Sequence, residues 1–283
     1  MNQNNVAVVV DSTSTIPEEI VDEYGLHVIP LTLVWGSDTF LDGVEMSASE
    51  FYDRLRNDSV FPSTTQPSVA EFEQLYRRIS SDASDILVIV LSGELSGTLN
   101  SAVQAKSLLP DLNIEIIDTR TMSMAAGFVA LAAAREAKAG KGLEDCAEAA
   151  RLANENVGVL VTLDSLEYLH RGGRIGGARK LLAGALSIKP ILTVSDGIVQ
   201  DAGKVRTRRK ALKHLIDSVT EAVSGKDNIR LAGLHASSLD DAKYVLDECS
   251  KVVNPVESLM TELSPVVGAH VGPGGVGIAW SSD

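Results

Sequence analysis

The chain has 283 residues, 45% of them hydrophobic and 22% charged, which suits a globule of about two domains at roughly 150 residues each. Its formal net charge is −13 and only 4% of residues are aromatic, so its field repels DNA, RNA and anionic membranes, and base-stacking platforms are not expected. Two cysteines in no Cys-x-x-Cys pattern, Cys146 and Cys249, and a start (residues 1–5) that is neither cationic nor apolar predict a cytoplasmic protein without disulfides, signal peptide or integral membrane association.

Residues 6–10 read as a strand, followed by a polar cluster, Asp11-Ser12-Thr13-Ser14-Thr15. Thr15-Ile16-Pro17-Glu18 has the spacing of a capping box opening a helix. Residues 28–34 read as one strand. Ser47 with Glu50, and Ser68 with Glu71, predict two further capped helices. Residues 86–91 are continuously apolar, as in a strand buried on both faces of a parallel sheet. A second strand is expected at 114–117, with helices at 98–109, 125–139 and 143–154. Strands alternating with helices in this way predict a parallel sheet covered on both faces.

A domain change is expected near residues 155–165, giving a first domain at 1–158 and a second at 159–283. Strands are expected at 157–163, 188–194, 197–199, 231–235 and 276–280, and helices at 207–223 and 238–249. Asp196-Gly197 is a hairpin signal, so the second domain reads as mixed α/β.

The most informative stretch is the turn after residues 86–91: Ser92-Gly93-Glu94-Leu95-Ser96-Gly97-Thr98. A helix starting there aims free backbone N–H groups, hydroxyls and a positive dipole end beyond the strand, where an anion is favoured. Four more clusters are rich in small and polar residues: Asp11 to Thr15, Ser63 to Ser68, Leu169 to Gly177, and His270 to Gly277. Each reads as a turn or as part of a site, and the loop at residues 63–68 by itself is the weaker signal. The Leu169–Gly177 stretch, with four glycines and two arginines, is expected to be an exposed loop, and His270 to lie just before the last turn. Walker, dinucleotide and Gly-x-Ser-x-Gly patterns are absent, and the five histidines lack metal-ligand spacing. Ser96 with His270 leaves open a small-substrate hydrolase or phosphoester enzyme, without a third, orienting residue.

Taken in order, several segments resemble the DegV family of bacterial fatty-acid-binding proteins: Asp11-Ser12-Thr13, Thr64-Thr65-Gln66-Pro67-Ser68, Leu95-Ser96-Gly97-Thr98, Gly172-Gly173-Arg174-Ile175-Gly176, Ile188-Lys189-Pro190-Ile191-Leu192 and His270-Val271-Gly272-Pro273-Gly274. Thr65 stands where that family usually has Ser, and Gly93 where it usually has a second Ser. The resemblance implies an α/β fold of two domains, the first mostly parallel and the second mixed, with a long-chain fatty acid between them. It implies that Thr64, Ser96, Gly97, Thr98 and His270 surround the carboxylate. It implies no catalysis by this chain: a separate ATP-dependent fatty acid kinase subunit phosphorylates the bound carboxylate for phospholipid metabolism, docking near Arg174 and Arg206. A lipid-sensing regulatory module is the other reading. No cofactor beyond the fatty acid and no metal is expected.

An apolar tunnel of that kind is expected along residues 122–134 and 181–186. Two basic groups stand out in the acidic chain, one at Lys204, Arg206, Arg208, Arg209, Lys210 and Lys213, the other at Arg171, Arg174, Arg179 and Lys180. They read as a docking patch or as solvated surface.

Overall fold

The computed structural model describes residues 6–283, except the side chains of 183–187; the expectation for residues 1–5, and part of that for 181–186, lies outside the described residues. In chain order the elements are β1 (Val6–Asp11), α1 (Glu18–Tyr24), β2 (His27–Ile29), β3 (Thr32–Trp35), β4 (Asp38–Leu41), α2 (Ala48–Asn57), β5 (Ser63–Thr65), α3 (Val69–Ile79), β6 (Asp85–Val90), α4 (Thr98–Ser107), β7 (Asn113–Asp118), α5 (Ser123–Lys138) and α6 (Leu143–Glu155). Then follow β8 (Val157–Thr162), α7 (Glu167–Arg171), a 3-10 segment (Gly176–Ser187), β9 (Lys189–Ser195), β10 (Ile198–Val205), α8 (Arg208–Ala222), β11 (Arg230–His235), α9 (Leu239–Val253), β12 (Glu257–Glu262), α10 (Pro265–Val271) and β13 (Val276–Ser281).

The fold is α/β, with one all-parallel and one mixed sheet. The first sheet runs β2-β1-β6-β7, every pair parallel. Its central strands are apolar on both faces because both are covered. Val8, Val10, Leu87 and Ile89 face α5 and α6, while Val9, Val88 and Val90 face α3 and α4. The second sheet runs β10-β9-β8-β13-β11-β12. It is antiparallel except for β11 beside β12, and β13 lies between β8 and β11. One face packs on α8 and α9 through Leu160, Ile278, Leu215 and Val245. The other face joins the same core as α5, which is therefore walled by both sheets. That explains the unbroken apolar character of α5: a helix with no solvent face has no reason for a polar stripe.

A small third sheet, β4-β3-β5, is antiparallel and was not expected from the sequence. The single strand expected at 28–34 is two, in different sheets. Pro30 removes a ladder donor between them, so β2 stays beside β1 while β3 turns away. The capping box at Thr15 does not form. Thr15 adopts a left-handed conformation (φ 52°) that closes the turn Ser12–Ser14, and Pro17 precedes α1 without a side-chain cap. Ser47 and Ser68 do form full capping boxes with Glu50 and Glu71. Asp196 and Gly197 both have positive φ, 53° and 82°, as the tip of the β9–β10 hairpin requires. Cys146 and Cys249 are buried free thiols. Among the described residues no helix is long and apolar enough to cross a membrane.

Candidate functional site

The parallel sheet ends at a cavity of about 580 Å³, counting its open mouth. Its polar wall comes from five distant parts of the chain. The turn after β1 contributes Thr13. Asp11 does not face the cavity; its buried carboxylate accepts from Thr13 N–H at 2.9 Å and Leu91 N–H at 2.7 Å, tying β1 to the end of β6. Burial pushes its acidity down, that is, its pKa up, against the opposite pull of those hydrogen bonds.

From β5 come Thr64 and Thr65, with Gln66 after them. Thr64 Oγ1 lies 3.0 Å from His270 Nε2. From the turn before α4 comes Ser96, whose Oγ is 2.9 Å from Thr98 Oγ1 and accepts from Thr98 N–H at 3.3 Å. Thr98 is fully buried behind Ser96, and is not part of the cavity lining. Gly97 lines an outer vestibule of about 840 Å³ that shares Leu95, Ser96, Arg174 and Val199 with the cavity. Ser92, lower in the same turn, donates to the Gly197 carbonyl at 2.7 Å, so the β9–β10 hairpin tip is fastened beside the vestibule.

Arg174 also lines the cavity. Its Nε donates to the Leu95 carbonyl at 3.1 Å and its Nη1 to the Gly172 carbonyl at 2.8 Å, which fixes the guanidinium against the Ser96 turn. The stretch expected to be an exposed loop at 169–177 is partly helix: α7 ends at Arg171, and Leu169 and Ile175 are buried. Gly172 lets this segment close on His270, since a Cβ there would fall 2.2 Å from Nδ1. Arg206 lies exposed between β10 and α8, outside these cavities.

His270 lies in the last turn of α10, just before the Gly272-Pro273-Gly274 turn, as expected. Burial first, and the Arg174 guanidinium second, hold its pKa down at about 4, so the imidazole is neutral at pH 7. Its Nδ1 has no hydrogen-bond partner among the described residues, and Nε2 is engaged with Thr64. Ser96 is engaged with Thr98 instead. The wall therefore carries one guanidinium, a neutral imidazole, the Gln66 amide and several hydroxyls, groups whose charge and hydrogen bonding suit an anionic oxygen. Among the described residues no cluster of three or more His, Cys, Asp or Glu stands where it could hold a metal ion.

A second cavity, about 500 Å³ counting its open mouth, shares Met122, Leu169, Val199, Val267 and Val271 with the first. Its far wall is the inner face of the six-stranded sheet: Val159, Val161, Leu192, Val194 and Leu234. The two hydroxyls on it are already used. Thr193 Oγ1 donates to the Val159 carbonyl at 2.9 Å, and Ser123 Oγ lies 3.2 Å from Thr15 Oγ1. Of the expected tunnel at 122–134, only Met122 and Ser123 line these two cavities; residues 124–134 pack between the sheets. Leu181 is buried in the same core.

The basic residues divide. Arg208 is tied to Asp241 at 2.7 Å and to the Gly274 carbonyl, Lys213 to Asp217, Arg171 to Glu167 and Lys180 to Asp201. Lys204, Arg206, Arg209 and Lys210 are exposed.

The chain belongs to the DegV family, whose model, described as an uncharacterised protein family, matches residues 5–283. It is similar to a DegV family protein of Thermus thermophilus solved for its fatty acid binding, at 31% identity and a TM-score of 0.93, covering 99% of this chain and 100% of that one. It is similar to DegV of Bacillus subtilis, a fatty acid binding protein, at 31% identity and a TM-score of 0.91, covering 99% of each. A DegV family protein of Ruminococcus gnavus, described with vaccenic acid, matches at 26% identity and a TM-score of 0.89, over 98% of this chain and 99% of that one.

Proposed function

We propose that this chain is a fatty-acid carrier that holds one long-chain acid with its carboxylate against Thr64, Ser96 and His270 and its tail in the apolar second cavity. The observation that carries this is the shared wall: a cavity with one polar wall and a fixed guanidinium runs, through five common apolar residues, into a cavity whose polar groups are already paired. The likeness at 31% identity to fatty-acid-binding proteins supports the same reading. Thr98 acts from behind, its amide and its hydroxyl both holding Ser96 Oγ, while the Gly97 backbone lies beside the carboxylate at the vestibule. Arg174 supplies the positive charge that a carboxylate needs in a chain of net charge −13. Burying about 14 methylenes at ~0.8 kcal/mol each gives roughly 11 kcal/mol before ordering costs, and the head-group bonds add about 1–3 kcal/mol. The tail thus sets affinity and the polar wall sets orientation.

In this reading the ligand lies between lobes dividing near residue 158. The protein acts in the cytoplasm and presents the carboxylate, through the vestibule, to a separate ATP-dependent kinase subunit that makes the acyl phosphate for phospholipid metabolism. The exposed Arg206 and its neighbours face that partner. Native mass spectrometry of the purified protein tests the carrier: about one fatty acid per chain is expected, and a lipid-free protein that also ignores added oleate and palmitate refutes it. Ser96→Ala is expected to weaken lipid retention, while Arg206→Ala spares it and lowers acyl-phosphate formation; equal lipid loss in both overturns that division of roles.

A further inference from the structure

Asp42 follows β4 and is 2% exposed. Its N–H donates to the Leu31 carbonyl at 2.9 Å. Its Oδ2 accepts from Ser12 Oγ at 2.6 Å, and its Oδ1 accepts from Val266 N–H at 2.9 Å. Ser12 Oγ in turn accepts from Leu31 N–H at 3.1 Å. Asp42 therefore joins three segments that each bear on the polar cavity, Ser12 and Val266 through its carboxylate and Leu31 through its backbone N–H. Ser12 adjoins Thr13. Leu31 leads into β3, whose Leu33 pairs with Thr64 on β5. Val266 opens α10, and His270, one turn further along, meets Thr64.

Space alone does not call for a carboxylate here, since burying one is costly unless its oxygens are filled. These oxygens are filled by donors 30 and 224 residues away in the chain, the second of them on the helix that carries His270. We propose that Asp42 is the positioning residue of the polar cavity: it seats α10 against β3 and β5 and so fixes the distance between Thr64 and His270. It touches no ligand itself. Removing it frees α10 to shift, and the carboxylate of a bound acid then loses its paired partners while the tail keeps its apolar walls.

The affinity arm of the test rests on the fatty-acid reading; the spectroscopic arm does not. In the lipid-free protein, ring nitrogen shifts of His270 are expected to move in Asp42→Ala and to return towards wild type in Asp42→Asn, whose amide can still accept from Val266 N–H and donate to Ser12 Oγ. With lipid, Asp42→Ala is expected to weaken oleate about tenfold while leaving oleyl alcohol, which has the same tail without the charge, unchanged. Ser12→Ala, which keeps the Val266 bond, should give a smaller loss in the same direction and serves if Asp42→Ala does not fold. Equal losses for acid and alcohol, unmoved His270 shifts, or no recovery in Asp42→Asn overturn the assignment. A wild-type protein that binds neither ligand refutes the carrier reading, and the His270 shifts still decide the role of Asp42.

Discussion

Replacing Val161 by Phe should shorten the acyl chain that the protein accepts. Val161 stands near the end of β8 on the face that lines the second cavity, and protein atoms do not cover it completely. It does not line the polar cavity. Phenylalanine brings about four more side-chain carbons into that space, and each tail methylene excluded forfeits ~0.8 kcal/mol, so the loss for a long chain is about 3 kcal/mol, roughly two orders of magnitude in Kd. A chain too short to reach the second cavity should lose little. The assay is calorimetric or displacement titration with a series of saturated acids from roughly 10 to roughly 18 carbons, compared between variant and wild type. The loss should grow with chain length and then level off. A uniform loss at every length, or undiminished binding of palmitate, would refute it, because the second cavity would then not hold the tail.

His270 gives a pH prediction. Its pKa in the folded chain, about 4, lies below its ordinary 6.5, so the unfolded chain binds more protons between those values and stability falls as pH drops through that window. The contribution by pH 5 is on the order of 2 kcal/mol, and urea unfolding at pH 7 and pH 5 should show a flatter pH dependence in His270→Gln than in wild type. Identical slopes would mean that the imidazole is not held neutral by its surroundings. Gly268 gives a packing prediction. A Cβ there would lie 2.7 Å from both Phe51 Cε1 and Tyr52 Oη, so Gly268→Ala should destabilise by about 1–3 kcal/mol. The thermal midpoint reads it, and an unchanged midpoint would show that α10 is not pressed against α2.

The parallel core was legible because β1 and β6 are buried on both faces and so carry unbroken apolar runs. The capped starts of α2 and α3 were legible because a Ser three residues before a Glu is a purely local device. The small third sheet was not. Strands such as Asp38–Leu41 and Ser63–Thr65 have no pattern of their own and exist because β3 offers both its edges. Of the site, Thr64, Ser96 and His270 were within reach, since motif order alone brings them to notice. Their mutual geometry was not, because the Thr64–His270 contact spans 206 residues. Arg174 reads in sequence as a surface arginine among glycines; its anchor is the Leu95 carbonyl, 79 residues away. Helix α5 misled in the opposite direction. Its apolar run suggested a ligand tunnel, yet most of it is consumed by packing between two sheets, and the cavity wall comes instead from alternate residues of β8 and β9.

The place of β13 constrains how such a chain can be made. Strands β8 and β11 share no ladder; each is zipped to β13, which runs to Ser281. A ribosome-bound fragment that stops short of that residue has all the earlier strands of the sheet but not the one that unites them. The sheet closes only once β13 is in place, so removing residues 276–281 should be as damaging as removing a strand from its middle.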